Sequence, residues 1–248
     1  MKVINDLIGY NNMKVVQNSE WFSFSLDSVL LPRFVTLNKN IKNILDIGTG
    51  NAPIPTILTT RTKANIYGFE IQEDVALLAN ETISINQLEE QVKIINDDIN
   101  NIGKHFEKHF FDVIVSNPPY FKVNECSKKN DDIHKVIARH EVKLDLESLL
   151  KISSQYLKEN GVFAMVHRTD RLIEIIECFR KYQIEPKKIR FIFPKVGTES
   201  NIVLIEGRKK GKPGLKILEP LIAHNDDGSY TKEVLEYFKE DPDESKKL

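Results

Sequence analysis

From Lys42 to Lys209 one pattern repeats: a short apolar run, a turn, then a segment with helical spacing. The apolar runs are "KNILDIG", "ANIYGFE", "VKIIND", "FDVIVSN", "GVFAMVH", "PKKIRFIFP" and "NIVLIEGRK". They are short, rich in Ile, Val and Phe, and bounded by turn residues, so they read as strands. Between them lie "APIPTILTTRT", "EDVALLANETISINQ", "DLESLLKISSQYLKEN" and "RLIEIIECFRKY", which read as helices. Strands alternating with helices bury both faces only as a parallel sheet with helices on each side. The expected fold is therefore α/β: a doubly wound, mostly parallel, seven-stranded sheet with helices on both faces. Only "KVGTES" separates the last two strands, too short for a crossover helix. They are expected to pair antiparallel, which adds one antiparallel edge strand.

Local chemistry sharpens several elements. The prolines of "APIPTILTTRT" suit a first helical turn. Val75, Leu78, Ala79 and Thr82 share one face of the next helix. Gly161 is the expected C-terminal glycine of "DLESLLKISSQYLKEN". Residues 1–42 form a preamble with a helix after Asp27, carrying Val29, Leu30 and Phe34, with Asp27 or Ser25 as N-cap. Residues 43–210 form the main domain. Residues 122–143 are polar and aperiodic, and read as a mobile insertion. Residues 211–248 form a tail with a short helix in "TKEVLEYFK".

Composition excludes more than it proposes. The formal net charge is −1, so the overall balance does not point to nucleic acid. Lys187 to Lys216, however, holds nine Lys/Arg against Glu199 and Glu206, a local excess of +7. Such a run is either a solvated face or a phosphate-binding one. The two cysteines, Cys126 and Cys178, form no CxxC pair. That argues against a disulfide framework and a zinc site, and fits a reducing cytoplasm. No apolar run reaches the ~18 residues of a membrane span, and "MKVINDLIGYNN" has no secretory h-region. No metal and no membrane partner is expected; the oligomeric state is left open.

A doubly wound sheet binds its ligand at the carboxyl ends of its strands. Asp46 to Gly50, Glu70, Asp97 with Asp98, and Asn117 to Tyr120 all fall at those ends. In "LDIGTGNAP", Gly48 and Gly50 permit a tight turn and close approach to a ligand. Glu70 closes the second strand, where an acid can accept hydrogen bonds from both hydroxyls of a ribose. The loop departs from GxGxxG and has instead the form D-x-G-x-G-x-(small). That form resembles the class I S-adenosylmethionine-dependent methyltransferases, whose fold is Rossmann-like. The resemblance implies S-adenosyl-L-methionine as cofactor, with Asp46 near its amino-acid end and Asp98, or its neighbour Asp97, beside the adenine. Ala52 stands where the family usually has a third glycine, a mild departure if its φ is negative.

"VSNPPYFKV" carries the second site. Pro118 and Pro119 can simply end a strand. Strand termination needs neither Asn117 before them nor Tyr120 after them. A planar exocyclic amine is a poor nucleophile, because its lone pair is delocalised. Two acceptors aimed at its N–H groups hold it and turn the lone pair toward an electrophile. The Asn117 carboxamide oxygen and the Pro118 carbonyl can be those acceptors, with the prolines fixing the carbonyl. Tyr120 and Phe121 offer flat faces for a base. "NPPY" resembles the amino-methyltransferase signature of this superfamily, found in enzymes acting on adenine N6, cytosine N4, guanine N2 and a glutamine amide.

The preamble "FSFSLDSVLLPRF", the "NPPY" and the length together resemble the bacterial valine-tRNA adenine-N6 methyltransferases, from about Trp21 to Gly207. The resemblance implies methylation of the adenine 3′ of the anticodon in tRNA, and a preamble helix over the cofactor with Asp27 and Ser28 near its methionine end. Lys195, within the basic run, and Arg139, with Lys128, Lys129 and His140 in the insertion, are candidates to touch RNA. His140 reads better as structural than as catalytic. Ribosomal-RNA guanine-N2 or adenine-N6 methylation is the alternative substrate reading. A non-catalytic, cofactor-binding RNA adaptor is the alternative from another class. A nicotinamide oxidoreductase leaves "NPPY" without a purpose.

Overall fold

The computed structural model describes residues 1–7, 10, 13–18, 25–118 and 145–238. The main sheet contains β3 (Asn43–Ile47), β4 (Asn65–Glu70), β5 (Val92–Asn96), β6 (Phe111–Ser116), β7 (Leu157–Arg168), β8 (Ile184–Phe193) and β9 (Ile202–Lys209). These run in the order β8-β9-β7-β6-β3-β4-β5. Pairing is parallel throughout β7-β6-β3-β4-β5. β9 is antiparallel to both its neighbours, β7 and β8.

The last two strands thus pair antiparallel as expected, but the antiparallel strand is not the edge. β9 slots between β7 and β8, and β8 lies outside it, parallel to the rest. Two short strands, β10 (Lys216–Ile217) and β11 (Leu221–Ile222), then pair with the outer side of β8. The sheet reaches nine strands because part of the tail covers that edge. An uncovered edge would leave a row of unpaired backbone groups.

Helices α1 (Asp27–Phe34), α2 (Pro53–Thr59), α3 (Glu73–Ile85) and α6 (Lys232–Tyr237) lie on one face. Helices α4 (Leu146–Tyr156) and α5 (Leu172–Lys181), with the 3₁₀ segment Ile99–Lys104, lie on the other. Successive strand residues serve the two faces in turn. Ile44 joins the first core with Ile57 and Leu58, and Leu45 joins the second with Phe111 and Phe163.

Two local expectations, at Gly161 and at the start of α1, are corrected, and one, the face of α3, is refined. α4 ends at Tyr156, and Leu157 is already extended, so Gly161 caps no helix. Asn160 takes the left-handed conformation instead, at φ 59°. Gly161 is needed for space: a Cβ there would sit 2.9 Å from the Lys158 carbonyl oxygen. In α3 the buried stripe is Ala76, Ala79, Thr82 and Ile83, with Val75 and Leu78 half-buried. α1 has no side-chain N-cap: Leu26 occupies that position in helical conformation. Asp27 lies inside the first turn, and Ser25 contributes its carbonyl, which accepts from the Ser28 amide at 3.1 Å.

The preamble also holds an unexpected hairpin, β1 (Lys2–Asp6) with β2 (Lys14–Asn18). It lies along α3. The Val16 amide donates to the Thr82 hydroxyl at 3.0 Å, and the Asn86 side chain bonds both backbone groups of Lys14. The tail is equally integral: Leu221, Ala223, Val234 and Phe238 are buried in the first core.

Candidate functional site

Parallel register brings four strand ends to one edge. Ile47 of β3 lies beside Phe69 of β4 and Ser116 of β6, and Glu70 lies beside Asn96 of β5. The loop after β3 begins with Gly48 at φ 73°, and Gly50 follows at φ 58°. No atom lies within 4 Å of where a Cβ would stand on either, so both face open space. The amides of Gly48 and Thr49 donate to the Phe69 carbonyl at 3.0 and 2.9 Å. Gly68 is the partner of this arrangement. A Cβ there would meet the Thr49 hydroxyl at 2.8 Å, so a glycine inside β4 is what admits the loop. Ala52 adopts φ 65°, not the negative φ that would make it harmless. An alanine in that region costs roughly 1 kcal/mol relative to glycine.

Asp46 is completely buried, and neither of its oxygens accepts a hydrogen bond among the described residues. Burial pushes its carboxyl up to about 7; the nearby Thr49 hydroxyl pulls it down, and Glu70 adds a smaller upward push. A buried, unpartnered acid of this kind is a receptor for a cation or a polar N–H group. Glu70 is also raised by burial, against hydrogen bonds that lower it. Its Oε2 accepts from the Gly50 amide at 3.0 Å and its Oε1 from the Gln72 amide at 2.9 Å, which ties the first loop to the end of β4.

The two acids after β5 divide their work. Asp97 accepts from the Asn101 side chain at 2.7 Å and pairs with His105 Nε2 at 2.8 Å. Those contacts, His105 first, hold its carboxyl down at about 2. Asp98 caps the 3₁₀ segment through Oδ1, which accepts from the Asn100 amide at 2.9 Å. Its other oxygen accepts nothing among the described residues, so Asp98 is the better placed of the two to meet a ligand.

At the end of β6 the Ser116 hydroxyl donates to the Ile47 carbonyl at 2.9 Å, clamping the base of the next turn to β3. Asn117 follows, and its Nδ2 donates to the Ser28 hydroxyl of α1 at 3.4 Å. Asp27 and Ser28 are both buried. The preamble helix thus meets the strand-end motif directly. Pro118 is half-buried at the same edge. Pro119, Tyr120, Phe121 and Arg139 lie outside the described residues, as do Lys128, Lys129 and His140.

Sequence reasoning passed over Thr49, Asn51, Ser116 and Gly68. Asn51 Nδ2 donates to the Val16 carbonyl at 2.9 Å, linking the glycine loop to the hairpin. The glycine inside "NIYGFE" was the one visible signal among them.

The basic run does not form one face. β8 and β9 are antiparallel, so Lys187, Lys188 and Arg208 to Lys210 fall toward the edge opposite the strand ends described above. Lys188 donates to the Phe34 carbonyl at 2.7 Å and pairs with buried Glu206 at 3.1 Å. Arg190 is spent on Tyr237, Glu233 and the Glu219 carbonyl. Lys209 is buried against the Leu157 carbonyl and His109. Lys195 alone of the run lies in the loop after β8, on the same edge as Asn117, and its Nζ donates to the Asp226 carbonyl at 3.1 Å.

Asp46 makes a testable contribution to stability. Its folded-state carboxyl is raised from 3.8 to about 7, so the folded chain binds this proton more tightly than the unfolded chain. The stabilisation is complete below pH ~4 and is lost as pH rises through about 7. The ligand-free Asp46→Asn variant is expected to lose that decline. Urea unfolding at pH 5 and pH 8 checks it: the wild type should weaken relative to the variant by on the order of 2 kcal/mol across that interval.

A sheet of this topology, with a glycine loop and buried acids at its carboxyl edge, defines a nucleoside-cofactor enzyme of the doubly wound class. A family model described as "Methyltransferase domain" matches residues 38–207, and the chain belongs to that family. It is similar to proteins described as tRNA1(Val) (adenine(37)-N6)-methyltransferase. The one from Phocaeicola vulgatus is 31% identical over 72% of this chain and 74% of its own. The one from Aeromonas hydrophila is 29% identical over 83% and 84%. The one from Haemophilus influenzae is 27% identical over 93% and 96%. Among solved structures, a predicted O-methyltransferase from Agrobacterium tumefaciens superposes with TM-score 0.68 at 17% identity, over 86% of this chain and 97% of that one. That likeness is one of fold.

Proposed function

We propose that this methyltransferase transfers a methyl group from S-adenosyl-L-methionine to adenine N6 in tRNA, at the adenine just 3′ of the anticodon of a valine tRNA. The observation that carries the reading is Asn117–Pro118 at the end of β6, in contact with α1 and one strand away from the glycine loop. The relatives described above, similar over most of both chains, support the same substrate.

The residues present fit the cofactor. Asp46 has buried, unpartnered oxygens for a cationic or N–H group. Gly48 and Gly50 leave their outer faces open. Glu70 suits a ribose, and Asp98 an adenine amine; Asp27 lies buried next to Ser28 in the preamble helix, and the family resemblance assigns it to the methionine side. When bound, S-adenosyl-L-methionine supplies an electrophilic methyl carbon on a sulfonium sulfur. Asn117 Oδ1 and the Pro118 carbonyl accept the two N–H groups of the adenine and hold its nitrogen in line. Pro119 stiffens that turn, and Tyr120 and Phe121 stack the base. One N–H proton leaves to solvent after transfer, so no strong base is required. An anticodon-loop adenine is single-stranded already, which makes its extrusion inexpensive. Lys195 and Arg139 contact tRNA phosphates, so affinity falls with salt. A tRNA substrate places the protein in the cytoplasm.

Methyl-labelled S-adenosyl-L-methionine, the purified protein and total RNA from cells lacking this gene provide the test. Label in the tRNA fraction, recovered as N6-methyladenosine, is the expected result. Label in ribosomal RNA or as N2-methylguanosine keeps the chemistry and overturns the substrate. Cofactor binding without any transfer supports the RNA adaptor instead.

A further inference from the structure

We propose that His105 is a positioning residue for the adenine of the cofactor: through Asp97 it holds the turn that aims the Asp98 carboxylate at the adenine amine. The inference rests on the reading that Asp98 accepts a hydrogen bond from that amine. Choosing an amine over any other group at that position requires a fixed acceptor. A carboxylate that can swing away adapts to either.

Asp97 is the hub that fixes it. An ionised carboxylate only accepts, so each hydrogen bond to Asp97 has one direction. Its Oδ1 accepts from the Asp98 amide at 2.8 Å and from Asn101 Nδ2 at 2.7 Å. Its Oδ2 accepts from His105 Nε2 at 2.8 Å. With the carboxyl held down at about 2, His105 first among the causes, it stays an acceptor at neutral pH. Asp97 thus pins the backbone of Asp98 itself. Asp98 Oδ1 is then taken by the amide and the side chain of Asn100, at 2.9 and 2.8 Å, which leaves Oδ2 for a ligand.

His105 is the member of this set that reaches outside the turn. It follows the 3₁₀ segment, where its amide donates to the Ile102 carbonyl at 3.0 Å, so its bond to Asp97 closes the whole segment end to end. Ile99 and Ile102 anchor that segment in the second core. The imidazole stands edge-on to the Phe69 ring, with centroids 5.5 Å apart and planes at 84°. Phe69 precedes Glu70, and its carbonyl accepts from the Gly48 and Thr49 amides. Asn96 adds a second tie, donating its side-chain nitrogen to the Glu70 carbonyl at 2.8 Å. The histidine therefore joins the adenine turn to the strand that carries the ribose acid and receives the glycine loop.

Calorimetric binding of S-adenosylhomocysteine and of its 6-oxo analogue, S-inosylhomocysteine, tests the proposal. The analogue carries, in place of the amine that donates, an oxygen that only accepts. The wild type should prefer the amine ligand by roughly 10²-fold. His105→Ala should cut that preference by about tenfold, through weaker binding of the amine ligand. The oxo ligand should bind as well as before or better, because a carboxylate free to turn no longer opposes its oxygen. His105→Gln, whose amide can donate to Asp97, should recover most of the preference. Asp98→Ala should abolish the preference, and in that background His105→Ala should cost nothing more, because the group it positions is gone. An unchanged preference in His105→Ala, equal losses for the two ligands, a Gln variant no better than the Ala one, or additive losses in the pair would each overturn the positioning role. If Asp98→Ala itself kept the wild-type preference, the reading of Asp98 would fall first, and the proposal with it.

Discussion

Asn117→Ala is expected to lower kcat for tRNA methylation by about 10²–10³-fold, the usual cost of removing one preorganised polar partner of the reacting group. Cofactor affinity should stay within a few-fold, because Asp46, Glu70 and Asp98, the residues proposed to hold the cofactor, are untouched. The loss should appear equally in kcat and kcat/KM, as for an interaction that strengthens in the transition state. Folding should be nearly unaffected, since Asn117 is only half-buried at a strand end. Asn117→Asp separates shape from hydrogen bonding. It keeps an acceptor but replaces the Nδ2 donor that Ser28 accepts, so it should recover only part of the rate. A comparison of thermal midpoint, cofactor binding and single-turnover rate in the three proteins decides the matter. Unchanged turnover in Asn117→Ala, with normal binding, would return attention to the non-catalytic reading.

Glu206→Ala is expected to destabilise the protein by about 3–5 kcal/mol, the largest stability effect of any single substitution considered. Glu206 is 3% exposed on β9 and meets three donors: the Thr36 amide, the Thr36 hydroxyl and Lys188 Nζ. Lys188 in turn donates to the Phe34 carbonyl and the Thr36 hydroxyl, and lies 4.3 Å from the centre of the Phe34 ring. Removing the carboxylate leaves a half-buried ammonium without its counter-charge, and the Thr36 amide and hydroxyl without their acceptor. For a chain of this size the midpoint should fall by roughly 6–20 °C. Lys188→Met should cost less than Glu206→Ala, because Thr36 still satisfies the carboxylate in part. The double variant should cost less than the sum of the two, since removing both charges avoids an uncompensated one. Calorimetry on the four proteins reads this directly. Activity should fall with α1, whose far end these residues hold.

The pair also shows where sequence reading stops. Lys188 and Glu206 sit in a basic run that reads as a solvated or phosphate-binding face. Register decides otherwise: Lys188 stands opposite Glu206 in the antiparallel β8–β9 pair, and both turn toward α1. No local pattern carries that information, because Lys188 and Glu206 are 18 residues apart and the helix they hold is far upstream. Ala52 is a similar case. Its identity is plain in the sequence, but its left-handed backbone belongs to the loop geometry that Phe69 and Gly68 impose.

The sequence alone determined the alternation of strands and helices, the strand ends where ligands gather, and the residues that gather there. These follow from local physics. Period-two and near-3.6 spacings declare themselves within a few residues, and glycine, proline and Asn-Pro-Pro act on the backbone where they stand. The tertiary structure alone decided where β9 inserts, that a hairpin braces α3, and that the tail closes the sheet beyond β8. It also decided which cations face inward and that Asp46 holds its proton near neutrality. Each of these depends on desolvation, or on pairing between segments far apart in the chain. Only the folded arrangement sets the partner and dielectric surroundings of such a group, so its behaviour cannot be read from its neighbours in sequence.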